Sequence, residues 1–214
     1  MRKKSVAVLM CLALAMAVSG CGEKTSQGSG QPAASQTQAA GGEVQAPAEV
    51  EGLKEAIAEA PVLLTSVGQS ADYEMVKTML DKNNIKCEKN SLATSADLEG
   101  IKTLMLAVGG SSKGLGAAGI DANGELERVA ELIGAADEQG IVIIAVHVGG
   151  EARRGDLSDK FIAPSFEKAD YAIVVADGDK DGLMKGLAAQ AGIPFDEVNS
   201  MADVVPKLGA AFKS

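Results

Sequence analysis

The chain has 214 residues, of which 29 are acidic and 20 are Lys or Arg, and its formal net charge is -9 at pH 7. This acidity argues against nucleic acid and anionic lipid surfaces as partners, because both repel a negatively charged protein. Two Tyr, four Phe and no Trp leave few aromatic rings for stacking on sugars or single-stranded nucleic acid.

The first twenty residues have the layout of a secretory signal peptide. Arg2, Lys3 and Lys4 form a positive segment, and the almost wholly apolar stretch 6–18 follows it. As a helix this stretch covers about 20 Å, short of the roughly 30 Å hydrocarbon layer of a bilayer. We therefore predict that residues 1–20 are removed during export.

A lipobox closes the predicted signal peptide. Val18, Ser19 and Gly20 give the aliphatic, small, small order that precedes a lipidated cysteine, and Cys21 follows them. We predict that Cys21 carries several acyl chains, palmitate among them. Stable membrane anchoring requires two membrane-binding signals, such as two acyl chains, so several chains are sufficient. The protein is then expected in the cell envelope, outside the cytoplasm, with the membrane as a partner through this lipid.

Cysteine usage and linker composition agree with that placement. Cys87 is the only thiol left after cleavage and lipidation, so no intramolecular disulfide is possible, and we predict a structural role for it. Residues 21–51 are rich in Gly, Ser, Gln, Ala and Pro, which predicts a flexible linker. A short helix is predicted over 51–60, and residues 52–214 are predicted to form one α/β domain.

Short apolar runs alternate with helical patterns through this domain. Strands are predicted over 62–66, 85–88, 103–108, 141–148, 171–176 and 195–198. A helix is predicted over 123–138, with Leu126, Val129, Ala130, Ile133 and Ala136 on its buried face, and another begins at Ser200. Continuous apolarity in the strands indicates cover on both sides. The fold class is therefore a three-layer α/β fold with a mostly parallel sheet, Rossmann-like or flavodoxin-like.

Ligands of such sheets bind beyond the carboxyl ends of the strands. In the loop after the third strand, glycines would let backbone amides approach an anion, hydroxyls would add donors and a lysine would add charge. Loops after the first and fourth strands contribute further polar groups. The predicted ligand-binding residues are Ser66, Gly68, Gln69, Ser70, Gly109, Gly110, Ser111, Ser112, Lys113, His147, Arg153 and Arg154.

Two enzyme patterns occur in the glycine-rich loop. Residues 110–114 fit Gly-x-Ser-x-Gly, with Ser112 as nucleophile and the chain's single histidine, His147, as its base. However, the residues after Ser112 predict no immediate helix, and such hydrolases carry their His near the C-terminus. Residues 114–119 fit the dinucleotide pattern, but they follow the third strand, and nicotinamide is not normally supplied outside the cell. We predict no cofactor.

The loop after the fifth strand begins like a calcium loop. Asp177, Asp179 and Asp181 precede Gly182 at the expected spacing, but the twelfth position is Ala188, so the final carboxylate is missing. The alternative is a polar turn that caps the following helix. We assign no metal ligand and leave calcium binding open.

Three stretches of the domain carry a family resemblance. They are GGSSKGLGAAGID at 109–121, RRGDLSDKF at 153–161 and ADYAIVVADGDKDG at 169–182. Together they resemble an uncharacterised family of bacterial exported proteins and lipoproteins, classed as a domain of unknown function, over about residues 60–214. The resemblance implies a single α/β domain outside the cytoplasm, and it implies no catalytic residues.

Three functions remain open from the sequence. The leading hypothesis is a non-enzymatic, lipid-anchored protein that binds a small anionic solute at the carboxyl edge of the sheet. A serine hydrolase that uses Ser112 and His147 is the second, and an envelope protein-interaction module is the third. The sequence favours binding over catalysis and identifies no protein partner.

The lipobox gives a direct prediction about the mature protein. We expect the purified protein to lack residues 1–20 and to carry acyl mass on Cys21, because that cysteine becomes the new N-terminus. Intact-mass spectrometry and detergent phase separation measure both properties. Cys21→Ser should return the protein to the aqueous phase, whereas detergent partitioning by this variant would contradict the prediction.

Overall fold

The computed structural model describes residues 50–213. Within them, six strands form one sheet: β1 (Val62–Val67), β2 (Cys87–Lys89), β3 (Thr103–Val108), β4 (Val142–His147), β5 (Tyr171–Val175) and β6 (Phe195–Val198). The strand order is β2-β1-β3-β4-β5-β6, and every neighbouring pair is parallel. The predicted parallel α/β fold is confirmed, and this order is of the flavodoxin-like kind.

Six α-helices in the described part of the chain cover the two faces of the sheet. They are α1 (Asp72–Lys82), α2 (Ser112–Ala118), α3 (Ala122–Glu138), α4 (Asp156–Phe166), α5 (Leu183–Ala191) and α6 (Met201–Ala211). Apolar residues of α1 and α6 pack in the core on one face. Those of α2, α3, α4 and α5 pack in the core on the other face. The result is a three-layer architecture.

The strands are apolar along their whole length because both faces are covered. All six residues of β1 are buried. Leu63 and Val67 belong to the core under α3 and α4, whereas Val62 and Leu64 belong to the core under α1 and α6. This alternation places consecutive side chains in opposite cores and accounts for the continuous apolar pattern.

The helix predicted over 51–60 was wrong. This segment is not helical, because its backbone groups bond to distant parts of the chain instead. The Glu51 carbonyl accepts a hydrogen bond from the Phe195 amide, and the Ile57 amide donates to the Ala211 carbonyl. Tertiary backbone bonds therefore outweigh the helix propensity of these residues.

Two helical details also differ from prediction. The structure starts α2 directly at Ser112, where no immediate helix was predicted, because the Ser111 hydroxyl caps it by accepting a hydrogen bond from the Gly114 amide. In α3, Ala130 is exposed and Leu132 is fully buried instead. The apolar face of α3 is rotated toward Leu132 because that larger side chain buries more apolar surface than an alanine.

A buried ion pair fixes the carboxyl end of β1 to α3. The Glu125 side chain is fully buried, and its carboxylate accepts hydrogen bonds from the Gly68 amide at 2.9 Å and from Arg128 at 2.8 Å. Arg128 in turn donates to the carbonyls of Ser66 at 2.6 Å and Ala93 at 2.7 Å. Both charges are thus compensated by each other and by backbone groups that would otherwise be unpaired.

The predicted signal peptide, the predicted lipidation site Cys21 and nearly all of the predicted linker lie outside the described residues. Between residues 50 and 213, no helix combines the length and the apolarity that a membrane crossing requires.

The Glu125–Arg128 pair leads to a stability prediction. Glu125→Ala should lower the free energy of unfolding by about 3–5 kcal/mol, because Arg128 and the Gly68 amide would remain buried without their acceptor. Urea unfolding measures this change. Glu131→Ala, at an exposed position of the same helix, serves as the control and should cost less than about 0.5 kcal/mol. Equal losses in the two variants would contradict the prediction.

Candidate functional site

The strand order reverses between β1 and β3, and in such sheets ligands bind at the loops that follow the two strands at this point. The two loops bond to each other here. The Ser111 amide donates to the Gly68 carbonyl at 2.8 Å, and Gln69 and Gly110 form an isolated antiparallel bridge. A Cβ atom on Gly114 would lie 1.8 Å from the Gln69 carbonyl oxygen. Protein atoms therefore fill the crevice between the two loops.

In the glycine-rich loop that follows β3, backbone amides donate hydrogen bonds to other groups of the protein. The Gly109 amide donates to the Val67 carbonyl at 2.9 Å, and the Gly110 amide donates to the Ser158 hydroxyl at 3.1 Å. Ser112 and Lys113 are exposed at the start of α2. Among the described residues, Lys113 has no ion-pair partner, so it is an available positive charge on this edge.

Side chains of the loop after β1 also form hydrogen bonds within the protein. The Gln69 side-chain amide donates to the Ser91 carbonyl at 2.8 Å and to Glu125 at 3.0 Å. The Ser70 hydroxyl accepts from the Asp72 amide at 3.3 Å. Ser66 is 1% exposed, and its hydroxyl has no hydrogen-bond partner in the described structure. These residues lie at the predicted edge, but most of their polar atoms support the loop.

Arg154 connects three parts of the same edge. Its guanidinium contacts the carboxylates of Asp159 and Asp181, each at 2.8 Å, and it donates to the Gly178 carbonyl at 2.6 Å. The hydrogen bond from Arg154 lowers the pKa of Asp181 to about 2. With two carboxylates bound, this arginine holds the loops after β4 and β5 together and has little charge left for a ligand.

Arg153 is placed differently. Its Nε atom donates to the two carboxylate oxygens of Asp72 at 3.2 and 3.3 Å. The Asp72 side chain is 3% exposed, whereas that of Arg153 is 30% exposed. Across residues 50–213, the structure gives no hydrogen bond to the Nη1 or Nη2 atom of Arg153. Asp72 thus fixes this guanidinium through Nε, and its four Nη N–H groups have no hydrogen-bond partner among the described residues.

Three loops meet at the Asp72 carboxylate. A Cβ atom on Gly109 would lie 3.0 Å from its Oδ2 atom, and one on Gly149 would lie 2.6 Å from the same atom and 1.9 Å from Cγ of Arg153. Gly149 therefore has no room for a side chain beside the ion pair, whereas a Cβ atom on Gly109 would require the Asp72 carboxylate to shift slightly. We call Asp72, Arg153, Gly109 and Gly149 the Asp72–Arg153 site.

His147 ends β4 and is fully buried. Its Nε2 atom lies 3.3 Å from the Arg153 carbonyl oxygen, and its Nδ1 atom has no hydrogen-bond partner in the described structure. Burial is the main cause that lowers the pKa of His147. The ring therefore favours the neutral form and supports the backbone of Arg153 directly.

The structure does not bring Ser112 and His147 together as a catalytic pair. Within the described chain, no hydrogen bond joins them, since the Nε2 atom of His147 faces Arg153 and its other edge packs on Gly178. No feature of this edge therefore favours the serine hydrolase alternative.

The loop after β5 begins α5 with a buried aspartate. The Asp179 carboxylate accepts hydrogen bonds from the amides of Met184 at 2.7 Å and Lys185 at 2.9 Å. Asp177 pairs with Lys180 at 2.7 Å. In residues 50–213, no group of three or more His, Cys, Asp and Glu side chains is arranged to hold a metal ion. The contacts favour the helix-capping interpretation over a calcium loop.

Several grooves in the described part of the chain lie outside the Asp72–Arg153 site, among them one of about 470 Å³ lined by Asn83, Asn84 and Phe212. One of about 310 Å³ lies beside Arg154 and is lined by side chains that pair with one another, among them Asp159 and Asp181. Another of about 640 Å³ is lined by the segment 50–55, Ile57 and the end of α5, and contains none of the predicted ligand residues.

Sequence reasoning missed Asp72 and Gly149 as members of the site. Asp72 follows the Ser66–Ser70 loop by two residues, so its position at a helix start next to a predicted ligand loop was a usable signal. Gly149 lies in the loop after the fourth predicted strand but is not among the predicted ligand-binding residues. No sequence pattern indicates that Arg153 crosses to Asp72, because 81 residues separate them.

Comparison with known proteins gives one match. Residues 59–212 match a family described as a domain of unknown function (DUF6305). No curated protein and no solved structure matches the chain.

The role of Asp179 can be tested against calcium binding. Asp179→Ala should lower the free energy of unfolding by about 1–2 kcal/mol, because two amides at the start of α5 lose their acceptor. Calcium at about 5 mM, which saturates typical extracellular calcium modules, should leave the wild-type melting temperature unchanged. A clear rise in melting temperature with calcium that disappears in Asp179→Ala would support the calcium loop instead.

Proposed function

The chain belongs to the family described as a domain of unknown function (DUF6305), and from its own residues we propose that it is a lipid-anchored extracytoplasmic protein that binds a small anion at the Asp72–Arg153 site. The family match covers the part of the chain that contains this site and leaves its ligand open.

The arrangement of Arg153 carries the proposal. An arginine has five N–H donors in a fixed plane, and Asp72 engages only the one on Nε. The remaining edge, formed by Nη1 and Nη2, has the spacing that carboxylates and other oxyanions bind with two parallel hydrogen bonds. Because Asp72 fixes the guanidinium beforehand, a ligand would bind without having to order this side chain.

Charge favours a singly charged ligand. Asp72 already balances the positive charge of Arg153, so the pair is neutral overall. The whole chain carries a formal charge of -9, which disfavours anions with several charges. A carboxylate or a sulfonate group fits these conditions better than a phosphate dianion.

Other predicted ligand residues have supporting roles in this proposal. Lys113 is exposed on the same edge of the sheet and offers a second cation to a longer ligand. Arg154, Gln69 and the amides of the glycine-rich loop hold the loops in place through the contacts described above. The proposed function is binding without turnover, and it assigns none of these residues a catalytic role.

The placement outside the cytoplasm is supported by the sequence alone. A positive segment, an apolar segment and a lipobox precede Cys21 in the expected order. A lipid on Cys21 would keep the domain at the membrane surface, where it can collect solutes from outside the cell.

The proposal is tested by titrating the purified full chain with acetate, methanesulfonate and sulfate in a calorimeter. Arg153→Met should weaken binding of the two singly charged anions about tenfold to a hundredfold, because two charge-assisted hydrogen bonds are lost. Lys168→Met removes one positive charge at the far end of α4 and should leave binding unchanged.

Two results would overturn the proposal. One is the absence of any binding by the wild-type chain. The other is equal weakening in Arg153→Met and Lys168→Met, which would indicate a general charge effect. A specific protein captured by the wild-type chain in place of any anion would move the interaction-module hypothesis to first place.

A further inference from the structure

The His147 ring lies between two 3-10 turns at the carboxyl edge. One turn is Gly150–Arg153 and the other is Ala176–Gly178. The ring is 0% exposed. A Cβ atom on Gly178 would lie 2.7 Å from its Cε1 atom and 2.8 Å from its Nδ1 atom, so the Nδ1 edge packs directly on the Gly178 backbone.

The contacts of the two ring nitrogens define one protonation state. Nε2 faces the Arg153 carbonyl oxygen at 3.3 Å, so it carries the hydrogen and donates it. Nδ1 has no hydrogen-bond partner in the part of the chain that the structure describes. A proton added there would create a buried N–H group without an acceptor, together with a buried charge.

Charged groups around the ring do not remove the free-energy cost of protonating His147. Asp72 and Asp179 favour the protonated ring through their charge, and Arg154 disfavours it. Both aspartates are already engaged, Asp72 with Arg153 and Asp179 with the first amides of α5. Further charged groups on the two turns, directly after the second turn and on α4 are bound in ion pairs: Glu151, Asp159, Asp177, Lys180 and Asp181.

We propose that His147 is an acid-sensitive positioning residue for the Asp72–Arg153 site. While neutral, it holds the Gly150–Arg153 turn through the Arg153 carbonyl, and the Arg153 side chain stays on Asp72. When protonated, the ring can no longer pack on Gly178, the two turns separate and Arg153 leaves Asp72. The idea that protonation of His147 releases a ligand rests on the proposed function, but the separation of the two turns itself requires no ligand.

The pH range follows from the direction of the pKa shift. Burial lowers the pKa of His147 below its ordinary value, which is about 6.5 in an unfolded chain. The closed arrangement is therefore fully stable above about pH 6.5 and loses stability as the pH falls below that value. An anion bound at pH 7 or above would be released in a more acidic surrounding.

The chain contains one histidine, so its imidazole NMR signal reports on His147 alone. Hydrogen exchange of the full chain, corrected for intrinsic rates, should show about tenfold less protection in the two turns at pH 5 than at pH 7. This loss should follow the titration of the imidazole signal. Peptides from α3 should keep their protection, and His147→Gln should show no loss between the two pH values.

Either of two results would overturn the proposal. Protection of the turns that stays constant while the imidazole titrates would show that protonation does not open them. An equal loss in His147→Gln would assign the opening to another group. If His147→Gln does not fold, the wild-type comparison of imidazole titration and turn protection decides alone.

Failure of the proposed function is recognised separately by titrating methanesulfonate, whose charge does not change over this pH range. Turns that open in acid on a chain that never binds the anion would contradict only the binding function. Binding at pH 7 by a chain whose turns stay protected at pH 5 would contradict only the role of His147.

Discussion

The ion pair between Asp72 and Arg153 determines how the carboxyl edge of the sheet is built. A buried carboxylate needs a compensating cation, and in the described structure Arg153 is the cation that contacts Asp72. The pair spans the sheet edge from the start of α1 to the turn after β4, and Gly109 lies beside the Asp72 carboxylate. A side chain at Gly149 would collide with Arg153 and Asp72, and one at Gly109 would crowd the Asp72 carboxylate, so the pair constrains the sequence of two further loops.

Two other arginines explain why this edge differs from the anion cradle that its glycines and hydroxyls suggest. Arg128 and Glu125 hold the end of β1, and Arg154 joins the turns after β4 and β5. Their bonds, with those of the loop amides, use most of the polar groups that a ligand would need. Among the described residues of this edge, the Nη groups of Arg153 and the exposed ammonium group of Lys113 remain as unpaired cationic donors, and the proposed binding centres on Arg153.

The sequence predicted the framework well because apolar runs depend on local patterns. Strands β3 and β6 have the predicted bounds, and the parallel sheet followed from helical segments between strands. The segment 51–60 failed because its backbone bonds to residues more than 140 positions away. The candidate site was only partly predictable for the same reason: Arg153 is among the predicted ligand residues, and its ligand role stays a prediction, but its partner Asp72 is distant in sequence. Local patterns carry no information about such contacts.

Anion binding by Arg153 is tested most directly by a native mass spectrum of the full chain, purified gently in detergent from its own host, beside that of Arg153→Met. We expect a small, singly charged anion on the wild-type protein and none on the variant, and the added mass would identify the ligand class. A wild-type protein without any small ligand, or the same ligand on both proteins, would contradict the proposed binding.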